Sequence, residues 1–235
     1  MSRTASNGIG TERERSLHAA LKEFYYLPGD QIEIPLDGFI IDLVRPGTGD
    51  IPAQLIEIQT GNFHALKHKL PPLLDLDHHI LLVHPIPVHK YVRRISEDGE
   101  TVSRRKSPKR GRVVDVFDEL VYIPHLLLHP GLSLEIALIH MEEIWQDDGK
   151  GSWRRKGWSK VDKVLLSVEE RVRLSSAADY IDLLPKHLEW PFTNKQLAGA
   201  LKVRPRLAQK ITFTLFAMGV IQRVGKQGRA YLYGM

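Results

Sequence analysis

Near the start of the chain, apolar Leu17, Leu21, Phe24 and Tyr25 recur at spacings of three and four, with Glu12, Arg13, Arg15, Lys22 and Glu23 around them. That period predicts an amphipathic helix. Leu27-Pro28-Gly29-Asp30 ends it, because proline cannot continue a helix and Gly-Asp favours a turn. Three short β-type runs follow: Gln31 to Leu36, Gly38 to Val44 and Ala53 to Gln59. Asp37-Gly38 and the cluster Pro46-Gly47-Thr48-Gly49-Asp50 separate them as tight connections. Thr60-Gly61-Asn62 makes a turn and N-cap for a helix to about Leu70, stopped by Pro71-Pro72. His79 to Val83 is almost wholly apolar and reads as a strand buried on both faces. Helix, three strands, helix and strand together predict an α/β fold: a mixed sheet flanked by helices, with one βαβ crossover.

Beyond residue 175 the spacing becomes helical again. Ala177, Ala178, Ile181 and Leu184 mark one helix; Phe192-Thr193-Asn194 supplies a staple and N-cap for a second, Lys195 to Leu201. A third runs from about Arg204 to Met218, with Leu207, Ile211, Leu215 and Phe216 on its apolar side and Gly219 as its C-cap. Val220 to Val224 and Arg229 to Tyr233, joined through Gly225-Lys226-Gln227-Gly228, form a two-stranded ribbon. Three helices and a glycine-tipped hairpin over residues 175–233 resemble a winged helix-turn-helix domain. The chain is therefore expected to divide into residues 1–155, a connector at 156–174, and a winged helix at 175–235.

Composition narrows the function. The chain has 235 residues, 43% hydrophobic and 26% charged, with no cysteine. A disulfide scaffold, a cysteine nucleophile and a thiolate zinc site are excluded. No apolar run approaches the roughly 18 residues of a membrane span. The opening residues lack the apolar stretch of a secretory signal, so a cytoplasmic setting is expected. Thirty-three Lys+Arg against 28 Asp+Glu give a net charge of +5, and the excess is clustered. Residues 92–112 hold a basic excursion that includes Arg104, Arg105 and Lys106, read either as a solvated hairpin tip or as a phosphate-contacting arm. Arg204, Arg206, Lys210, Arg223, Lys226 and Arg229 occupy a stretch without a single Asp or Glu. Such a stretch presents positive charge to a phosphate backbone.

The sharper chemical signal lies in the strands. Asp42 interrupts the apolar run Phe39-Ile40-Ile41-Asp42-Leu43-Val44, and Glu57 and Gln59 alternate with Ile56 and Ile58. Residues two apart on a strand share a face, so Glu57 and Gln59 emerge together. If the two strands pair, Asp42 lies beside Glu57, and two desolvated carboxylates call for a compensating charge. A hard divalent cation such as Mg²⁺ is the natural one. His64 and His68 are four apart on the following helix but lack a nearby third ligand, and no phosphate-binding glycine loop or serine elbow is present.

The order of elements over residues 10–90, with an acid on the second strand and an acid-X-residue triplet on the third, resembles the PD-(D/E)XK nuclease superfamily. The resemblance implies a restriction-endonuclease-like core in which Asp42 and Glu57 hold Mg²⁺ or Mn²⁺ and Glu14 on the first helix assists, with Glu12 as its rival. Gln59 stands where the superfamily usually has lysine. Gln59 would then orient the attacking water, and Lys67 on the following helix, or a basic side chain from 93–112, would supply the missing positive charge. The resulting expectation is a metal-dependent DNA endonuclease positioned by its winged helix. A homodimer, or a partner protein from a mobile-element, repair or defence system, is compatible with it. The rival expectations are a catalytically inactive DNA-binding regulator on a nuclease scaffold and a docking subunit.

Overall fold

The computed structural model describes residues 9–151 and 157–235, with side chains described from residue 16 onward. Helix α1 (Ile9–Tyr25) precedes strands β1 (Gln31–Leu36), β2 (Phe39–Arg45) and β3 (Gln54–Ile58). Helix α2 (Leu66–Asp75) leads into the long strand β4 (His79–Ile95), which is followed by β5 (Thr101–Lys106) and the short helix α3 (Phe117–Leu120). Strands β6 (Leu132–Asp147) and β7 (Trp158–Leu174) complete the main sheet. Helices α4 (Ala177–Asp182), α5 (Asn194–Leu201) and α6 (Pro205–Ala217) and strands β8 (Gln222–Gln227) and β9 (Ala230–Gly234) end the chain. The architecture is α/β: a seven-stranded sheet with hydrogen-bonded order β1-β2-β3-β4-β6-β7, in which β5 pairs with β4, flanked by helices.

The first three strands are antiparallel neighbours, and β3 runs parallel to β4 across the α2 crossover. Leu36 pairs with Phe39 around a two-residue turn. Asp37 and Gly38 there both have positive φ, 49° and 83°, the conformation a primed hairpin turn requires. The β2–β3 loop closes tightly at Gly47, where any Cβ would come within 2.6 Å of the Ile51 carbonyl oxygen.

Three features depart from the sequence pattern. Helix α2 continues through Pro71 and Pro72 to Asp75. Leu66, Leu70, Leu73 and Leu74 form an unbroken buried stripe at i, i+4, i+7 and i+8, and that packing outweighs the lost proline hydrogen bonds. On α1, Leu17, Leu21 and Tyr25 are buried as the period predicts, but Phe24 is 47% exposed. Residues 158–174, expected to be a connector, are strand β7 at the end of the sheet order. It reads as polar because an edge strand covered little on either face has few apolar positions to display.

The described chain forms two compact units. One comprises α1, Pro87–Gly111 and Leu138–Glu170; the other comprises Leu27–Ile86, Arg112–Ala137 and Arg171–Met235. The C-terminal helices thus belong to the same unit as β1–β3, rather than to a unit of their own. In that second unit Thr193 caps α5 in a reciprocal box: its backbone N–H donates to Gln196 Oε1 (2.8 Å), and Gln196 N–H donates to Thr193 Oγ1 (3.3 Å). Phe192, fully buried, exchanges backbone hydrogen bonds with Tyr233 of β9 (3.0 and 2.8 Å). In the first unit, β4 and β5 make the hairpin of the basic excursion, with Arg93 opposite Arg104. Glu142 of β6 accepts from both guanidinium groups, at 2.8 and 2.6 Å.

Candidate active site

Strands β2 and β3 bring the predicted acids to one face. Their ladder pairs Val44 with Leu55 and Leu43 with Ile56. One step further stand Asp42 and Glu57, on the side of the sheet shared with Val44 and Leu55. Here the ladder to β2 ends while that to β4 continues: the Asp42 Oδ2 atom accepts the backbone N–H of Ile58 at 2.8 Å, and Glu57 and Ile58 are registered with Leu82 and Val83 of β4. Asp42 is half-buried and Glu57 is buried. Buried carboxylates need compensation, and Glu57 receives it from a cation.

That cation is Lys69, not Lys67. Lys69 Nζ donates to Glu57 Oε1 at 2.6 Å and to the Ile40 carbonyl at 2.7 Å, with only 18% of its side chain exposed. Lys67 instead lies over the Tyr122 ring, 5.8 Å from its centroid. On a helix at 100° per residue, positions 67 and 69 flank the Leu66–Leu70–Leu73 stripe on opposite sides. The sequence therefore marks both lysines as neighbours of the core, and only the side on which β2 and β3 lie selects Lys69.

Gln59 lies just past β3. Its backbone N–H donates to Val83 at 2.8 Å, and its side-chain amide donates to the carbonyls of Gly61 and Asn62, the latter at 3.3 Å. The amide nitrogen of the side chain thus ties down the turn leading to α2. His84 Nδ1 contacts the Gln59 carbonyl at 2.7 Å. A carbonyl only accepts, so the proton sits on Nδ1. Burial of His84 pushes its pKa below the ordinary histidine range, against the opposing pull of the Gln59 carbonyl and of Glu119. The Glu14 side chain, like that of Glu12, lies outside the described residues.

The predicted phosphate-contacting residues divide into two groups. Arg104 is bound to Glu142 and stacked over Tyr91, 4.2 Å from the ring centroid. Lys210 is held by Asp118, at 2.7 Å to its carboxylate and 2.9 Å to its carbonyl. Arg104 and Lys210 are thus engaged within the fold. Arg105, Lys106, Arg204, Arg206, Lys226 and Arg229 are exposed. Exposed Arg223 stacks between Phe216 and Tyr231, at 4.6 and 4.2 Å, and Lys226 lies 5.2 Å from the Tyr231 centroid.

Comparison with known proteins adds a family. Residues 15–175 match the family described as Domain of unknown function (DUF8091), and the chain belongs to it. A protein of Treponema pallidum (strain Nichols) bearing the name "Uncharacterized protein" is 40% identical over 162 residues, or 68% of this chain. The chain spans 62% of that relative's length. No solved structure matches the chain. The family match takes in Asp42, Glu57 and Lys69 and ends just before α4.

Proposed function

We propose that the protein is a metal-dependent DNA endonuclease, with a restriction-endonuclease-like core of the PD-(D/E)XK type and a C-terminal winged helix. The observation that carries this reading is the grouping of Asp42, Glu57 and Lys69 at the point where β2 and β3 part. Two acids and a lysine are the functional groups of that superfamily's motif. Here the lysine comes from α2, because Gln59 is occupied in the turn. The order of α1, a three-strand meander, a helix crossover and a parallel strand supports the same core.

The donors suit a hard cation. Each carboxylate makes one hydrogen bond noted above and has further lone pairs, and Mg²⁺ is commonly held by one or two carboxylates with water filling its remaining positions. Asp42 and Glu57 would hold Mg²⁺ or Mn²⁺, which supplies an activated water and neutralises charge on the scissile phosphate. Lys69, pinned by Glu57 and the Ile40 carbonyl, presents a fixed ammonium group to the anionic transition state. The Asp42–Ile58 hydrogen bond fixes the orientation of the Asp42 carboxylate, and Gln59 fixes the turn from which α2 departs.

The capped α5, the following α6 and the β8–β9 ribbon support the winged-helix reading. Exposed Arg204, Arg206, Arg223, Lys226 and Arg229 would contact phosphates, which position the protein without reading sequence. Lys210 and Arg104 are omitted from that surface. The test is incubation of the full chain with duplex, single-stranded and branched DNA in Mg²⁺ or Mn²⁺, against EDTA. Chelator-sensitive cleavage of at least one substrate is expected. DNA binding without cleavage would favour the inactive regulator.

A further inference from the structure

A second group of metal-ligating side chains lies in the other compact unit, remote in sequence from Asp42 and Glu57. The geometry points to a zinc-type centre formed by His89, His140 and Glu169. The three residues come from β4, β6 and β7, successive neighbours in the sheet order, so each side chain rises from a hydrogen-bonded strand rather than from a loop. One ligand atom from each lies within 4.8 Å of the other two. The His140 Nε2 atom is 2.6 Å from Glu169 Oε2, and the two imidazole rings meet edge to face with centroids 4.6 Å apart.

A partly satisfied polar cluster gives the second observation. His89 Nδ1 is buried and has no hydrogen-bond partner among the described residues. A buried nitrogen without a partner is costly, and a bound ion is one of the few things that resolves it.

Two imidazoles and one carboxylate form a nitrogen-rich, borderline ligand set that suits Zn²⁺ and its neighbours Co²⁺ and Ni²⁺ and disfavours Mg²⁺. His89 and His140 would each offer the ion one imidazole nitrogen, and Glu169 one carboxylate oxygen. This centre is independent of the nuclease reading: either can fail without the other.

The test is titration of the untagged full chain with Zn²⁺ in competition with a chromogenic chelator, repeated with His140→Ala, Glu169→Gln and the control His64→Ala. One Zn²⁺ per chain is expected, unaffected by excess Mg²⁺. Affinity should fall at least tenfold in the first two variants and stay unchanged in the control, since even outer-shell changes at such sites cost 10–100-fold. Glu169 is exposed, so its conservative substitution should leave the circular dichroism spectrum unchanged. Bound Co²⁺ should show a d–d spectrum that Glu169→Gln alters. Failure of the parent chain to bind Zn²⁺ would overturn the proposal. So would binding that survives undiminished in both ligand variants.

Discussion

At the scale of single residues, the site rests on charges placed where they can be neither hydrated nor left alone. Glu57 is buried and answered by Lys69; Asp42 is half-buried and answered by a backbone amide. His84 presents the complementary case, a titratable ring kept neutral by burial. Its depressed folded-state pKa sets the sign of a pH effect. Above about pH 6.5, the ordinary histidine value, neither the folded nor the unfolded state protonates it and it costs nothing. As pH falls below that value, the unfolded chain takes up a proton that the folded chain refuses. Stability therefore declines until His84 itself protonates. Thermal unfolding of the parent and His84→Gln from pH 8 to pH 5 checks this: the variant's melting temperature should fall less steeply. Parallel slopes would contradict the assignment.

The elements were legible wherever one face of a helix or strand was clearly apolar. The β1–β3 meander and α2 follow from alternation and spacing, and Asp42 and Glu57 were identifiable as acids in apolar runs. Lys69 was not separable from Lys67, because both flank the same leucine stripe and the choice depends on which side the sheet lies. Strand β7 was missed because its edge position removes the apolar signal, and the end of α2 because buried Leu73 and Leu74 override two prolines. The caps, by contrast, are local and were readable. Thr193→Ala should remove the hydroxyl's two hydrogen bonds, accepted from the Gln196 N–H and donated to Gln196 Oε1 at 2.9 Å, and cost about 1 kcal/mol of stability. Chemical denaturation measures that loss directly, and Thr193→Ser should restore most of it.

For the whole molecule, the family match and the C-terminal helices meet near residue 175, yet α6 is tied back to the segment around α3. Lys210 bonds Asp118, Arg112 donates to the Leu201 carbonyl at 2.7 Å, and the Tyr180 hydroxyl reaches the Leu127 carbonyl at 3.5 Å. The basic surface should therefore behave unevenly. Lys210→Ala is expected to lower stability by up to about 1 kcal/mol while leaving the salt dependence of DNA binding unchanged. Arg206→Ala should do the reverse, weakening binding across sequences and reducing the slope of log affinity against log salt by about one. Fluorescence anisotropy over a salt series, paired with thermal melts, separates the two. A shared loss of slope would return Lys210 to the proposed DNA-contacting surface.

No helix among the described residues is long and apolar enough to cross a membrane, and the Asp42–Glu57–Lys69 group carries the proposed chemistry. Its most direct test is Mg²⁺-dependent cleavage by Lys69→Ala and Lys67→Ala, each first shown to be folded. If Lys69 is the cation of a nuclease centre, Lys69→Ala should lose roughly 10²-fold or more in cleavage rate, the scale for removing one positioned charge-stabilising donor, while Lys67→Ala keeps nearly all of it. Full activity in Lys69→Ala, or its loss only in Lys67→Ala, would contradict the account.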